Sequence, residues 1–149
     1  MGTILKGVSR VRWDELNHAY GSAADVPGVL SRIAWGDALA SAAALSDLAL
    51  WIGELAVFDA TAAVAPFLWD LAVTETVTSR AGAIGLLQTI LEHGNPRQPK
   101  VQLEAHQAVL SRRLTADRLT HDSDPAVRGA AQDLLAAIDS HLSESCCRA

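Results

Sequence analysis

Apolar residues recur along this chain at the three- and four-residue spacing of helix faces, and the strict alternation of a half-buried strand is absent. Trp13, Leu16 and Tyr20 share one face and predict a short N-terminal helix, stopped by Gly21. Asp25 is placed to cap the next helix, and Pro27 sits just inside it, where a missing N–H costs little. Val26, Val29, Leu30 and Ile33 form its apolar stripe. Gly36 ends it, and Asp37 caps a helix running to about Leu50. Helices over 60–72 and 77–93 follow, separated at Thr74–Thr76 and closed by Gly94-Asn95-Pro96. Pro99 opens a helix to about Leu114, which extends or restarts toward Leu119. Asp122-Ser123-Asp124-Pro125 breaks the chain and caps a last helix from Ala126 to about Leu142.

These helices read as repeated pairs over 26–51, 60–93 and 99–142. An offset of 39 residues lays Pro27 on Pro66, Leu30 on Trp69, Ala44 on Ala83, Leu48 on Leu87 and Trp51 on Ile90. A further 48 lays Arg80 on Arg128, Ala83 on Ala131, Leu87 on Leu135 and Ile90 on Ile138. One such pair cannot bury its own apolar face, whereas stacked pairs can. The expected fold is therefore all-α. It is a single domain over 1–149, a short α-solenoid of about three pairs, with a capping helix within 13–25 and a flexible tail at 143–149.

The stretch D-S-D-P-A-V-R-G-A-A-Q-D-L-L-A-A-I, Asp122 to Ile138, resembles the turn and second helix of a HEAT repeat. In that family the turn Asp and the second-helix Arg form a ladder between repeats. Arg80 and Arg128 match the Arg, and Ser41 departs from it. The stretch W-D-E-L-N-H-A-Y-G-S-A-A-D-V-P, Trp13 to Pro27, is similar to the opening of small HEAT-like proteins of actinobacteria. A-T-A-A-V-A-P-F-L, Ala60 to Leu68, resembles the start of their second repeat. The resemblance implies a fold and no particular activity. Where such proteins often carry a His-Gln-Gly-Thr-like stretch, this chain has G-E-L-A, Gly53 to Ala56.

Composition supports helices: 27 alanines lose no side-chain freedom in a helix and let helices approach closely. Charge is uneven within a net −5. Residues 13–79 carry nine acids against Arg32 alone, while 80–149 carry eight of each sign. An acidic first half repels phosphate backbones and attracts basic partners, or it serves solubility alone. The longest apolar segment, Leu55 to Val73, is interrupted by Asp59, Thr61, Pro66 and Asp70, so no membrane span is expected. The N-terminus has too short an apolar run for a secretory signal. Lys6 replaces the Ser or Thr that a myristoylation motif at Gly2 would carry, so a cytoplasmic protein is expected. Cys146 and Cys147 are adjacent and build neither a disulfide framework nor a zinc site.

Candidate chemistry is sparse. His18 lies four residues from Asp14 on the predicted first helix, beside Tyr20, which suggests an acid–base pair; the competing reading packs Trp13 and Tyr20 inside and bonds His18 to backbone. Trp35, Trp51, Glu54, Phe58 and Asp59 gather aromatics and acids near loops of the first two pairs and form the candidate binding surface. His18, His93, His106, His121 and His141 show no metal-binding spacing, and no Gly-rich loop fits a nucleotide, so neither metal nor cofactor is expected. Arg112, Arg113 and Arg118 supply too few phosphate contacts for a nucleic-acid reader.

Three functions follow. The first is a protein-binding module for a basic partner, such as an immunity protein neutralising a toxin. The second is a small-molecule binder or tailoring enzyme with a pocket among Trp13, His18, Tyr20, Trp51 and Glu54. HEAT-like folds include alkylpurine DNA glycosylases and bilin lyases, although the glycosylases use a strongly basic surface. The third is a homo-oligomer that associates through exposed solenoid ends. Binding is expected ahead of catalysis.

Overall fold

The computed structural model describes residues 4–148, with side chains through Glu144. Gly2 and the side chains of Cys146 and Cys147 lie outside the described residues. The molecule is mostly helical. Its α-helices are α1 (Val26–Trp35), α2 (Ala38–Ala49), α3 (Asp59–Val73), α4 (Arg80–Glu92), α5 (Pro99–Leu110), α6 (Arg113–Leu119) and α7 (Pro125–Arg148). α1 packs on α2 and α3 on α4. Farther along, α3 lies against α5, and α7 lies against both α4 and α6. Among the described residues, no helix is long and apolar enough to cross a membrane.

The apolar stripe predicted for α1 is buried, and later helices bury comparable faces. Val26, Val29, Leu30 and Ile33 of α1 are almost fully covered, as are Ala83, Leu87 and Ile90 of α4 and Ala131, Leu134 and Ile138 of α7. Asp37 caps α2 by accepting the Ala40 N–H at 2.8 Å. Ser111 and Arg112 interrupt the 100–114 helix, and the chain restarts as α6. The last helix continues to Arg148, past the Leu142 boundary, because no Gly or Pro follows to stop it.

The N-terminal helix is not formed. Trp13–Glu15 is a single 3-10 turn, and the next residues make a small antiparallel hairpin of β1 (Asn17–His18) and β2 (Gly21–Ser22). Gly21 has φ +127, a region that side-chain-bearing residues avoid and that lets the chain reverse here. An isolated helix this short nucleates poorly. The hairpin instead gains tertiary bonds: Asn17 N–H donates to Asp59 Oδ1 at 2.7 Å, and Ala19 N–H to the Trp51 carbonyl at 2.9 Å. Trp13 is buried as expected, 6.0 Å from the Phe67 ring, with Nε1–H bonded to the Val8 carbonyl. Tyr20, by contrast, is 64% exposed.

A π-helical turn, Leu50–Glu54, ends α2. Gly53 lets this turn lie close to α4, since a Cβ there would stand 3.1 Å from Leu86 Cδ1. Thr61 fixes the following loop. Its buried hydroxyl donates to the Ile52 carbonyl and accepts from Phe58 N–H.

One hydrogen bond recurs between pairs. The Ser41 hydroxyl on α2 donates to the Ile33 carbonyl near the end of α1 at 2.8 Å. Thirty-nine residues later, Arg80 Nε on α4 donates to the Ala72 carbonyl near the end of α3 at 2.9 Å. Both satisfy a carbonyl that a helix end leaves without an intrahelical partner. Arg80 also reaches forward, placing Nη1 and Nη2 on the two carboxylate oxygens of Asp122 at 3.2 and 2.8 Å. Asp122 accepts in addition from Asp124 N–H, and Arg128 Nη1 donates to the carbonyls of Asp122 and Ser123.

Removing Arg80 strands a partly buried carboxylate and a helix-end carbonyl together. Arg80→Ala is expected to cost about 3 kcal/mol of unfolding free energy in a urea titration. The hydrogen bonds from Arg80 and from Asp124 N–H hold the Asp122 carboxyl below its ordinary pKa of 3.8. A carboxylate lowered by folding stabilises above its unfolded pKa, and that stability is lost as pH falls through the folded value. The stability gap between wild type and Asp122→Asn should be full at neutral pH and shrink below about pH 4; a gap that widens in acid would refute the assignment.

Candidate functional site

The hairpin, the π-helical turn and the start of α3 bring several sequence candidates together. His18 is buried and lies flat on Trp51, with ring centroids 4.6 Å apart and planes inclined by 14°. Its Nδ1 accepts the Tyr20 backbone N–H at 3.1 Å. A nitrogen that accepts carries no proton, so Nε2 is the protonated nitrogen, and it donates to Asp25 Oδ1 at 2.9 Å. The imidazole is thus fixed as one neutral tautomer with both nitrogens occupied.

This geometry corrects the expected Asp14–His18 pair. Asp14 is exposed on the 3-10 turn, and the carboxylate partner of His18 is Asp25. Asp25 stands at the N-cap position of α1 without capping it, because its side chain serves His18 instead. Tyr20 contributes its backbone N–H, while its side chain faces water. Trp13 and Tyr20 therefore do not converge with His18 on a pocket. The arrangement closes the hairpin onto the π-helical turn and leaves no imidazole nitrogen to move a substrate proton.

The remaining candidates divide in the same way. Asp59 and Trp51 accept the two hairpin amides, Asp59 through its carboxylate and Trp51 through its carbonyl. Phe58 is half-buried at the N-cap of α3, and Glu54 is exposed. Trp69 is wholly enclosed, and its Nε1–H has no acceptor. Trp35 is different. It ends α1 with 59% of its surface exposed, and Leu39, across the Gly36–Asp37 corner, is 83% exposed.

Among the basic candidates, Arg113 is bound by Asp139 at 2.6 and 3.0 Å, which raises its own pKa and lowers that of the carboxylate. Arg112 and Arg118 make no ion pair among the described residues. Half-burial raises the pKa of Asp70, and the nearby charge of Arg112 partly offsets this. No cluster of His, Cys, Asp or Glu able to hold a metal occurs among the described residues. An open concavity lies between α5 and α7, where the spacing of His106 and His141 gave no signal because they come from different helices.

His18→Phe keeps a ring on Trp51 and removes both hydrogen bonds. It should destabilise the fold by about 2 kcal/mol and speed amide exchange at Tyr20. Asp25→Asn, which retains an acceptor, should cost less. Unchanged exchange in the first variant would show that the imidazole does not hold the hairpin. Comparison with protein-family models, curated proteins and solved structures finds no match for this chain.

Proposed function

We propose that the chain is a short array of three HEAT-like helix pairs serving as a binding module for a basic protein partner. The carrying observation is the α1–α2 corner. Trp35 and Leu39 stand in water there, within a segment whose acids outnumber its bases by nine to one. A tryptophan left outside the core is costly to expose and rich in contact area, and such residues anchor interfaces. Net acid in the same segment speeds encounter with a basic partner.

The array reading is supported by the carbonyl bond made by Ser41 and again, at the aligned position, by Arg80. It is also supported by the Arg80–Asp122 pair, which matches the ladder that the HEAT resemblance implies. The occupied nitrogens of His18 favour binding over acid–base chemistry at the hairpin.

Immobilised protein should retain a basic partner from lysate that elutes by about 0.5 M salt, where charges are screened within a few ångströms. Trp35→Ala should weaken retention by roughly 30-fold, as for an anchor worth about 2 kcal/mol. Identical captured sets on wild type and Trp35→Ala, insensitive to salt, would reject this role for the corner.

A further inference from the structure

A second site lies far along the chain from that corner and rests on different observations. α5 and α7 meet along an open groove of about 910 Å³, a size in the range of small-molecule sites. Its lining is largely apolar, with Leu103, Leu110 and Leu142 along it. Leu103 is 56% exposed, so the groove presents uncovered hydrocarbon to water.

One polar group in this lining is unusually well defined. His106 is buried, and its Nε2 stands 2.6 Å from the His93 carbonyl oxygen. A carbonyl has no proton to give, so Nε2 must carry the hydrogen. In the tautomer with its hydrogen on Nε2, Nδ1 is a bare acceptor, and no hydrogen bond to it is found among the described residues. The His141 ring stands edge-on to His106 at 5.0 Å and 85°, adding a second aromatic wall. A backbone carbonyl that fixes one imidazole nitrogen while the other faces a cavity is a familiar way of presenting an acceptor.

We propose that this groove binds a small, neutral, largely apolar molecule carrying one hydroxyl or N–H donor, which His106 Nδ1 receives. A neutral body suits the apolar walls, where a charge would lose hydration, and Glu144 in the lining opposes an anion in particular. A donor is required because it supplies the hydrogen bond that Nδ1 lacks. An apolar body is required because most of the lining surface is apolar.

A matched pair of probes tests this: 2-naphthol, which carries the donor, and 2-methoxynaphthalene, which has the same body without it. Both are titrated at neutral pH while nitrogen-15 resonances of the histidine rings are followed. Wild type should bind 2-naphthol about five-fold or more tightly than the ether, consistent with one net hydrogen bond. The His106 Nδ1 resonance should move only with the naphthol. His106→Phe should bind both probes alike. Leu103→Glu, at an exposed position, should lose about ten-fold for both without change in helix content. Equal affinities in wild type would make the groove an undiscriminating apolar surface of the kind a partner helix covers, and would overturn the proposal. So would a stationary Nδ1 resonance, or shifts confined to elements other than α5 and α7.

Discussion

The guanidinium of Arg80 joins three parts of this molecule. Nε satisfies the carbonyl that the end of α3 leaves open, and the two Nη groups grip Asp122 in the turn before α7. A planar donor fork is suited to this, since it can serve a carbonyl on one side and a carboxylate on the other. Without it, α3, α4 and the last turn would meet over a buried unsatisfied carbonyl and an unpaired carboxylate. The first pair closes its own corner with less, a single hydroxyl at Ser41. Ser41 has no charge to extend to the next turn. The α1–α2 pair instead joins the rest of the molecule through direct packing of α2 on α4 and of α1 on α3, together with the π-helical turn and the hairpin.

The hairpin shows how an apparent catalytic group becomes structural. Histidine beside carboxylate is a common sign of acid–base chemistry, yet chemistry needs a nitrogen with a vacancy. His18 has none. His106 reverses the pattern: the spacing of its neighbours along the chain suggests nothing, yet one nitrogen is fixed and the other is bare. Which histidine can act depends on where the second hydrogen bond goes, and that is decided by loop geometry.

Much of the fold was legible because it is periodic. The stripes of α1, α4 and α7, the Asp37 cap and the Gly94-Asn95-Pro96 stop all rest on local rules. The N-terminal segment departs from its helical spacing because Trp13, Leu16 and Tyr20 fit a helix face over too few residues to outweigh tertiary bonds to Asp59 and Trp51. The Ser41 substitution reads in sequence as a departure from the Arg pattern. In space it makes the same bond to the preceding helix, because a hydroxyl close to the backbone reaches what a guanidinium reaches from farther out. The α5–α7 groove could not be read from spacing, since its histidines belong to helices separated by α6.

The four tryptophans occupy four distinct surroundings. Trp69 sits in hydrocarbon with an unpaired N–H, Trp13 is bonded to a carbonyl, Trp51 is stacked on an imidazole, and Trp35 is in water. Indole emission moves to longer wavelength as surrounding dipoles relax around the excited ring. Trp69, enclosed and without a hydrogen-bond partner, is expected at the blue edge of the protein's fluorescence, and the exposed Trp35 at the red edge. The imidazole face against Trp51 offers a route for quenching its light. The intrinsic spectrum therefore divides by region, so that opening of the core, release of the hairpin and coverage of the α1–α2 corner carry separate optical signatures without any added dye.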